Sequence, residues 1–231
     1  MTSTRRPDGR AARWHGQHER RRAEFVDAAL AEIAERGPEV STERIARRAG
    51  VARTRLYKHF DGAADLQAAI SRKVVALLSA ELEPVWKPRG SPQRMITVAL
   101  EAHVRWLTEH THLYRYLLRH SPPGGGGLTD IKTALGERLA GYLRDLGLAV
   151  GTAEIAAFGV VGHVESATAR WLDAPGGTSR AGLVEQLAGA VWAVLDRALR
   201  SGGIALDPRR PLAEQPDQLG PAVRSAGPPA P

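Results

Sequence analysis

The chain has 231 residues, enough to bury a sizeable core as one large domain or two small ones. It contains no cysteine, which excludes a disulfide framework, a thiolate metal site and a cysteine nucleophile. Its formal net charge of +7 is unevenly placed: residues 1–60 hold 14 Lys/Arg against 8 Asp/Glu, and the rest hold 18 against 17. A basic module attached to a near-neutral body is the electrostatic footprint of a polyanion binder.

The start of the chain is arginine-rich and lacks the apolar stretch of a signal peptide, and no run of about 18 apolar residues could cross a membrane. A cytoplasmic protein with no membrane partner is therefore expected. Residues 1–17 mix Arg, Gly, Pro and Ser and read as a flexible basic arm carrying Arg5, Arg6, Arg10 and Arg13. A helix over 18–36 follows from Phe25, Ala28, Ala29 and Ile33, with Gly37-Pro38 stopping it. Ser41 is placed to cap a second helix ending near Ala49, and Gly50-Val51 forms a tight turn into a third over 53–60. Leu56 and Phe60, four residues apart, put that third helix's apolar face inward. Arg53, Thr54, Arg55, Lys58 and His59 then lie on its other face, with Tyr57 at the boundary. Two short helices joined by a tight turn, the second presenting cations and hydrogen-bonders, suit the DNA major groove; the plain alternative is a helical hairpin with a solvated basic face.

Further helices are expected over 63–86, 91–110 (opened by Ser91-Pro92), 112–119, 128–146, 152–172 and 179–200. The glycine run within 121–127 is followed by no Gly-Lys-Ser/Thr and reads as a linker, not a phosphate cradle. From residue 204 to 231 the Pro/Gly/Ala-rich tail is expected to be disordered. No period-2 segment is present, so the fold class is all-α.

The stretch GPEVSTERIARRAGVARTRLYKHF followed by DGAADLQAAI resembles the DNA-binding domain of the tetracycline-repressor (TetR) family of bacterial transcription regulators. The resemblance covers residues 18–78; beyond them only the helical architecture is similar, a body of about six helices over 79–203. It implies that 53–60 is the recognition helix, with Arg53, Thr54 and Arg55 nearest the base edges. Tyr57, Lys58 and His59 would meet phosphates, as would Ser41 or Thr42. Arginine can pair bidentately with guanine, whereas groups at the far end of a short helix meet the backbone. The pattern departs from the family at Ala52, where a capping serine is usual, and at Gly62-Ala63, where a Ser-Lys pair usually opens the next helix. The basic arm could compensate for the missing lysine by entering a minor groove.

The resemblance also implies a homodimer on a palindromic operator, formed by helices 152–172 and 179–200. Gly159, Gly162, Ser166 and Ala169 make a small-residue stripe on the first. On the second, Leu183, Leu187, Ala190, Val194 and Ala198 form one apolar stripe and Val184, Val191, Leu195 and Leu199 another, as a helix serving both its own body and a partner requires. Helices that line the family's ligand pocket carry His103, Trp106, His110, Tyr114, Phe158 and His163, with Trp86, Tyr116 and Trp171 nearby. His103, Trp106 and His110 fall at i, i+3 and i+7, a mixture of aromatic faces and polar tips suited to a small organic effector, though such spacing also describes core. No metal site, cofactor or catalytic constellation is expected. The reading is a DNA-binding repressor released by an organic ligand; the alternatives are a ligand-independent regulator with a filled pocket, or a helical enzyme or interaction module.

Overall fold

A computed structural model describes residues 9–86, 90–120 and 128–215. These residues form nine α-helices and no strand. They are α1 (Gly9–Arg36), α2 (Thr42–Arg48), α3 (Arg53–Leu56), α4 (Gly62–Leu82), α5 (Pro92–Glu109), α6 (Thr111–His120), α7 (Leu128–Asp145), α8 (Val150–Asp173) and α9 (Arg180–Ser201). The all-α expectation holds. The linker over 121–127, and Arg5 and Arg6 of the arm, lie outside the described residues; the backbone of residues 9–17 is helical where an irregular arm was expected. No described helix is long and apolar enough to cross a membrane.

The chain divides into two compact units, residues 1–76 with 110–127, and residues 77–109 with 128–231. In the first, α1 buries Phe25, Val26, Ala29 and Ile33, and α2, α3 and α4 add Ile45, Ala46, Leu56, Phe60, Leu66, Ile70 and Val74. Helix α6 belongs here too, beside α1: His112 Nδ1 lies 3.0 Å from the Ala34 carbonyl oxygen, and Arg119 pairs with Glu39.

In the second unit α7 packs on α8, α5 on α9, and α8 on α9. One core joins Ala140, Leu143, Ala153, Ala157, Val160, Val191 and Leu195; another joins Leu100, Val104, Leu183, Val184 and Leu187. Gly136 of α7 is buried because the Phe158 ring lies on it: a Cβ there would sit 2.7 Å from the ring. The segment after α9 is not the expected disordered tail through residue 215. Ile204, Leu206 and Leu212 are buried. Pro208 O accepts from Gln93 N (2.9 Å), and Gly90 O from Leu212 N (3.1 Å). The buried Gln215 side chain closes the loop by accepting from Asp207 N and donating to the Asp207 and Arg210 carbonyls. Residues 216–231 lie outside the described residues.

Candidate nucleic-acid interface

Helix α2 begins at Ser41, whose Oγ accepts from Arg44 N at 3.3 Å, and Glu43 adds a negative charge in the first turn. It ends on a glycine in the left-handed region, Gly50 at φ +68°. Gly50 N donates to Arg47 O and Val51 N to Ala46 O, both at 3.0 Å, the paired bonds of a Schellman stop. The turn leads straight into α3, whose N-cap position, Ala52, supplies no side-chain bond. Helix α3 is a single turn; its register rests on Leu56, fully buried, and on Phe60 beyond it.

Arg53, Thr54, Arg55 and Lys58 are exposed on the outer side of this hairpin, as are Arg44 and Arg47 of α2. They differ in freedom. Arg53 pairs with Glu43, and its guanidinium sits 5.4 Å from the centre of the Tyr57 ring. Tyr57 and Glu43 both hold the Arg53 pKa above its ordinary value. Tyr57 Oη donates to Thr42 Oγ1 at 3.4 Å, tying the end of α3 to the start of α2, and that bond followed by Arg53 pulls the phenol pKa down. Arg48 is occupied by Glu32 and Glu35 of α1. Among the described residues Arg44, Arg47, Arg55 and Lys58 pair with no carboxylate, which leaves these exposed cations open to an anion. Arg44 and Arg47 were not among the expected contacts. Their spacing on α2, one turn from the cap, was the available signal.

His59 departs from expectation. Helix α3 stops at Leu56, so four-residue spacing from Arg55 no longer predicts direction, and the turn swings His59 inward. Its ring lies 4.8 Å from that of His18 and 5.5 Å from that of Phe25, and its Nδ1 is buried without a partner. Burial first, then the charges of His18, Arg21, Arg55 and Arg22, lower its pKa.

The six expected effector residues are divided between the two units. His110 falls beyond the end of α5, is exposed, and belongs with the buried Tyr114 to the first unit. In the second unit Trp106 is buried, Phe158 is 43% exposed over Gly136, and His163 is exposed on α8. His103 retains some exposed surface, yet its Nε2 is buried without a partner, and burial pushes its pKa down to about 4. Trp86 is faced by the Arg138 guanidinium at 4.8 Å, and Trp171 Nε1 donates to Thr178 O at 2.8 Å. A groove of about 790 Å³ that sequence reasoning missed runs along α5 and α9, past Gln93, Thr97, Glu101, Arg105, Arg180 and Trp192. Its signal was the four-residue spacing of the polar positions on α5. No group of three His, Asp or Glu side chains that could hold a metal occurs among the described residues.

The signature of the bacterial regulatory proteins of the tetR family matches residues 25–70, from Phe25 of α1 through α2 and α3 to Ile70 of α4. Residues 25–70 thus carry the signature of a TetR-family DNA-binding domain. An uncharacterized HTH-type transcriptional regulator of Mycobacterium tuberculosis is 27% identical over 214 residues, covering 87% of this chain and 88% of the relative. A tetR-family regulator from Streptomyces coelicolor shares the fold with a TM-score of 0.67 at 22% identity, covering 86% of this chain and 95% of that one. SmeT, the repressor of a multidrug efflux pump of Stenotrophomonas maltophilia, shares it with a TM-score of 0.54 at 24% identity, covering 81% and 96%. The chain is a DNA-binding transcriptional regulator with a TetR-type helix-turn-helix at α2–α3.

Proposed function

We propose that the protein is a cytoplasmic, homodimeric repressor, without enzymatic activity, that binds a palindromic operator and leaves it when a small organic ligand binds. The observation that carries the reading is the outer side of α2–α3, where Arg44, Arg47, Arg55 and Lys58 stand free around Thr54 while Leu56 and Phe60 anchor the turn. Arg55 and Thr54, with Arg53 once it exchanges Glu43 for DNA, read base edges; Lys58, Tyr57, Thr42 and Ser41 meet phosphates. His59 supports the turn from within.

The homodimer is supported by the outward stripe of α8. Gly151, Ile155, Phe158, Gly159, Gly162 and Ser166 recur one turn apart without a charge, Ile155 is 79% exposed, and a Cβ added at Gly151, Gly159 or Gly162 would meet nothing. On α9 both expected stripes pack mainly within the protomer: Leu183, Leu187 and Ala198 are buried with Val184, Val191, Leu195 and Leu199, and only Ala190 and Val194 keep appreciable exposure. The α9 contribution to a partner thus falls to Gly189, Ala190, Ala193, Val194 and Arg197. For the effector, support comes from the unpartnered Nε2 of His103 and from the groove along α5 and α9. A ligand that prefers one separation of the two recognition helices needs only part of the ~4–10 kcal/mol between specific and nonspecific DNA binding to release the protein.

The test is selection of duplexes from a random pool by the full-length protein. Two inverted half-sites with centres about one helical turn apart, bound by two chains, are expected. Recovery of no common sequence, or of a single half-site bound by one chain, would refute the operator reading.

A further inference from the structure

Arg22 lies on α1 and is held in four ways. Its NH1 and NH2 each lie 2.8 Å from a carboxylate oxygen of Asp65, a parallel two-bond pair to α4. NH1 also donates to the carbonyl of His59, and the guanidinium stands 4.3 Å from the centre of the Phe60 ring. Asp65 Oδ2 in turn accepts from Asp61 N at 3.0 Å. One fork therefore joins α1, the turn that follows α3, and the first turn of α4. Arg22 and Asp65 are partly buried, with side chains 19% and 28% exposed. The hydrogen bonds from Arg22 hold the Asp65 pKa down at about 2, so the pair stays ionised at any physiological pH.

Helix α3 needs such an external anchor. It is one turn long, has no side-chain cap at Ala52, and is far below the length at which a helix stands alone in water. Its entry is fixed by the Gly50 turn, and its exit by Leu56, Phe60 and whatever holds the His59 carbonyl. We infer that Arg22 is a positioning residue for base reading: its fork on the His59 carbonyl, the Phe60 ring and Asp65 sets the angle at which α3 presents Arg53, Thr54 and Arg55. The inference rests on the proposed operator reading. Lysine in its place keeps the charge opposite Asp65 but has no planar fork, so it cannot hold the carboxylate bidentately and the His59 carbonyl at once.

The experiment uses the full-length protein and a duplex selected by the wild type from a random pool, beside a scrambled duplex of the same length. Affinity for both is measured over a salt series for wild type, Arg22→Lys and Asp65→Asn, with melting temperature for each. Both variants are expected to lose about 10-fold or more on the selected duplex, as for a misplaced base contact, while affinity for the scrambled duplex and the salt slope stay at wild-type values. A slope that falls by about one per subunit in Arg22→Lys would make Arg22 a phosphate contact and overturn the inference. Unchanged affinity for the selected duplex would overturn it as well. So would a collapse of melting temperature together with both affinities, since Arg22 would then hold the fold rather than the reading angle. If the wild type selects no sequence, the operator reading itself has failed, an outcome separate from any behaviour of the variants.

Discussion

The imidazole of His103 makes the stability of the protein depend on pH in a direction that can be worked out. In the folded chain Nε2 is buried with no partner, and desolvation lowers the pKa from 6.5 to about 4. Unfolding returns the ring to water and to its ordinary value. Between pH 6.5 and 4 the unfolded state binds a proton that the folded state refuses, so stability is full above pH 6.5 and falls as pH drops toward 4. The difference of 6.5 − 4, about 2.5 units at ~1.36 kcal/mol each, amounts to about 3 kcal/mol. That is a large part of the ~5–15 kcal/mol that ordinarily holds a folded protein together. His59, also depressed by burial, acts in the same direction, and Asp65 acts below this window, losing its contribution only between its ordinary 3.8 and about 2. A variant is therefore needed to isolate the term. Urea unfolding of wild type and His103→Gln, followed by circular dichroism at about pH 7, 5.5 and 4.5, should show the wild type losing about 2 kcal/mol more than the variant across that range, the remainder being lost only below about pH 4.5. Equal losses would mean that the ring is solvated or paired in the folded state, and the reasoning would be wrong.

Ile155→Glu should yield a monomer by light scattering with its helical circular dichroism intact, whereas Leu187→Glu should unfold the second unit by placing a charge in the core of α5 and α9. A dimeric Ile155→Glu would move the interface off α8. Lys58→Ala should weaken selected and scrambled DNA equally and lower the salt slope by ~1 per subunit; Arg55→Ala should cost ~1–3 kcal/mol on the selected site and relax its preference at one or two positions, and the reverse pattern in filter binding would exchange their roles. Gly136→Ala places a Cβ 2.7 Å from the Phe158 ring, so the ring must shift, at ~1–3 kcal/mol in thermal denaturation; an unchanged melting temperature would show that α7 and α8 part freely.

Local signals predicted most of the helices. Ser91-Pro92 opens α5, Ser41 caps α2, and Gly37 and Gly50 adopt the left-handed backbone at the ends of α1 and α2. Chemistry that joins residues far apart in sequence was not legible. The spacing of Arg22 from Phe25, Ala29 and Ile33 puts it on the inner face of α1, but Asp65 lies 43 positions away and nothing in the sequence pairs the two. Periodicity misplaced His59 because it assumes a continuing helix, and the backbone after Leu56 turns instead. It also failed to divide α9 between core and partner: Leu187 and Val194 share a stripe in projection, yet one is buried and the other 42% exposed. The tail was misread because Ile204, Leu206 and Leu212 are too sparse among polar and small residues to form a pattern, and the Gln215 bonds that close the loop are to backbone.

The reader of DNA in this protein is not a contiguous stretch of chain. Its first unit takes in residues 1–76 and then reclaims 110–127, with α6 fastened beside α1 through His112 at the Ala34 carbonyl and Arg119 at Glu39. A fragment cut after residue 76 would leave both of those partners bare and uncover the flank of α1 against which α6 packs. Exchanging this reader with that of a relative, to redirect the protein to another promoter, therefore means transplanting two segments together. A graft that moves only the helix-turn-helix would inherit a foreign α6 against its own α1, and the mismatch would be felt at the recognition helix before any DNA is added.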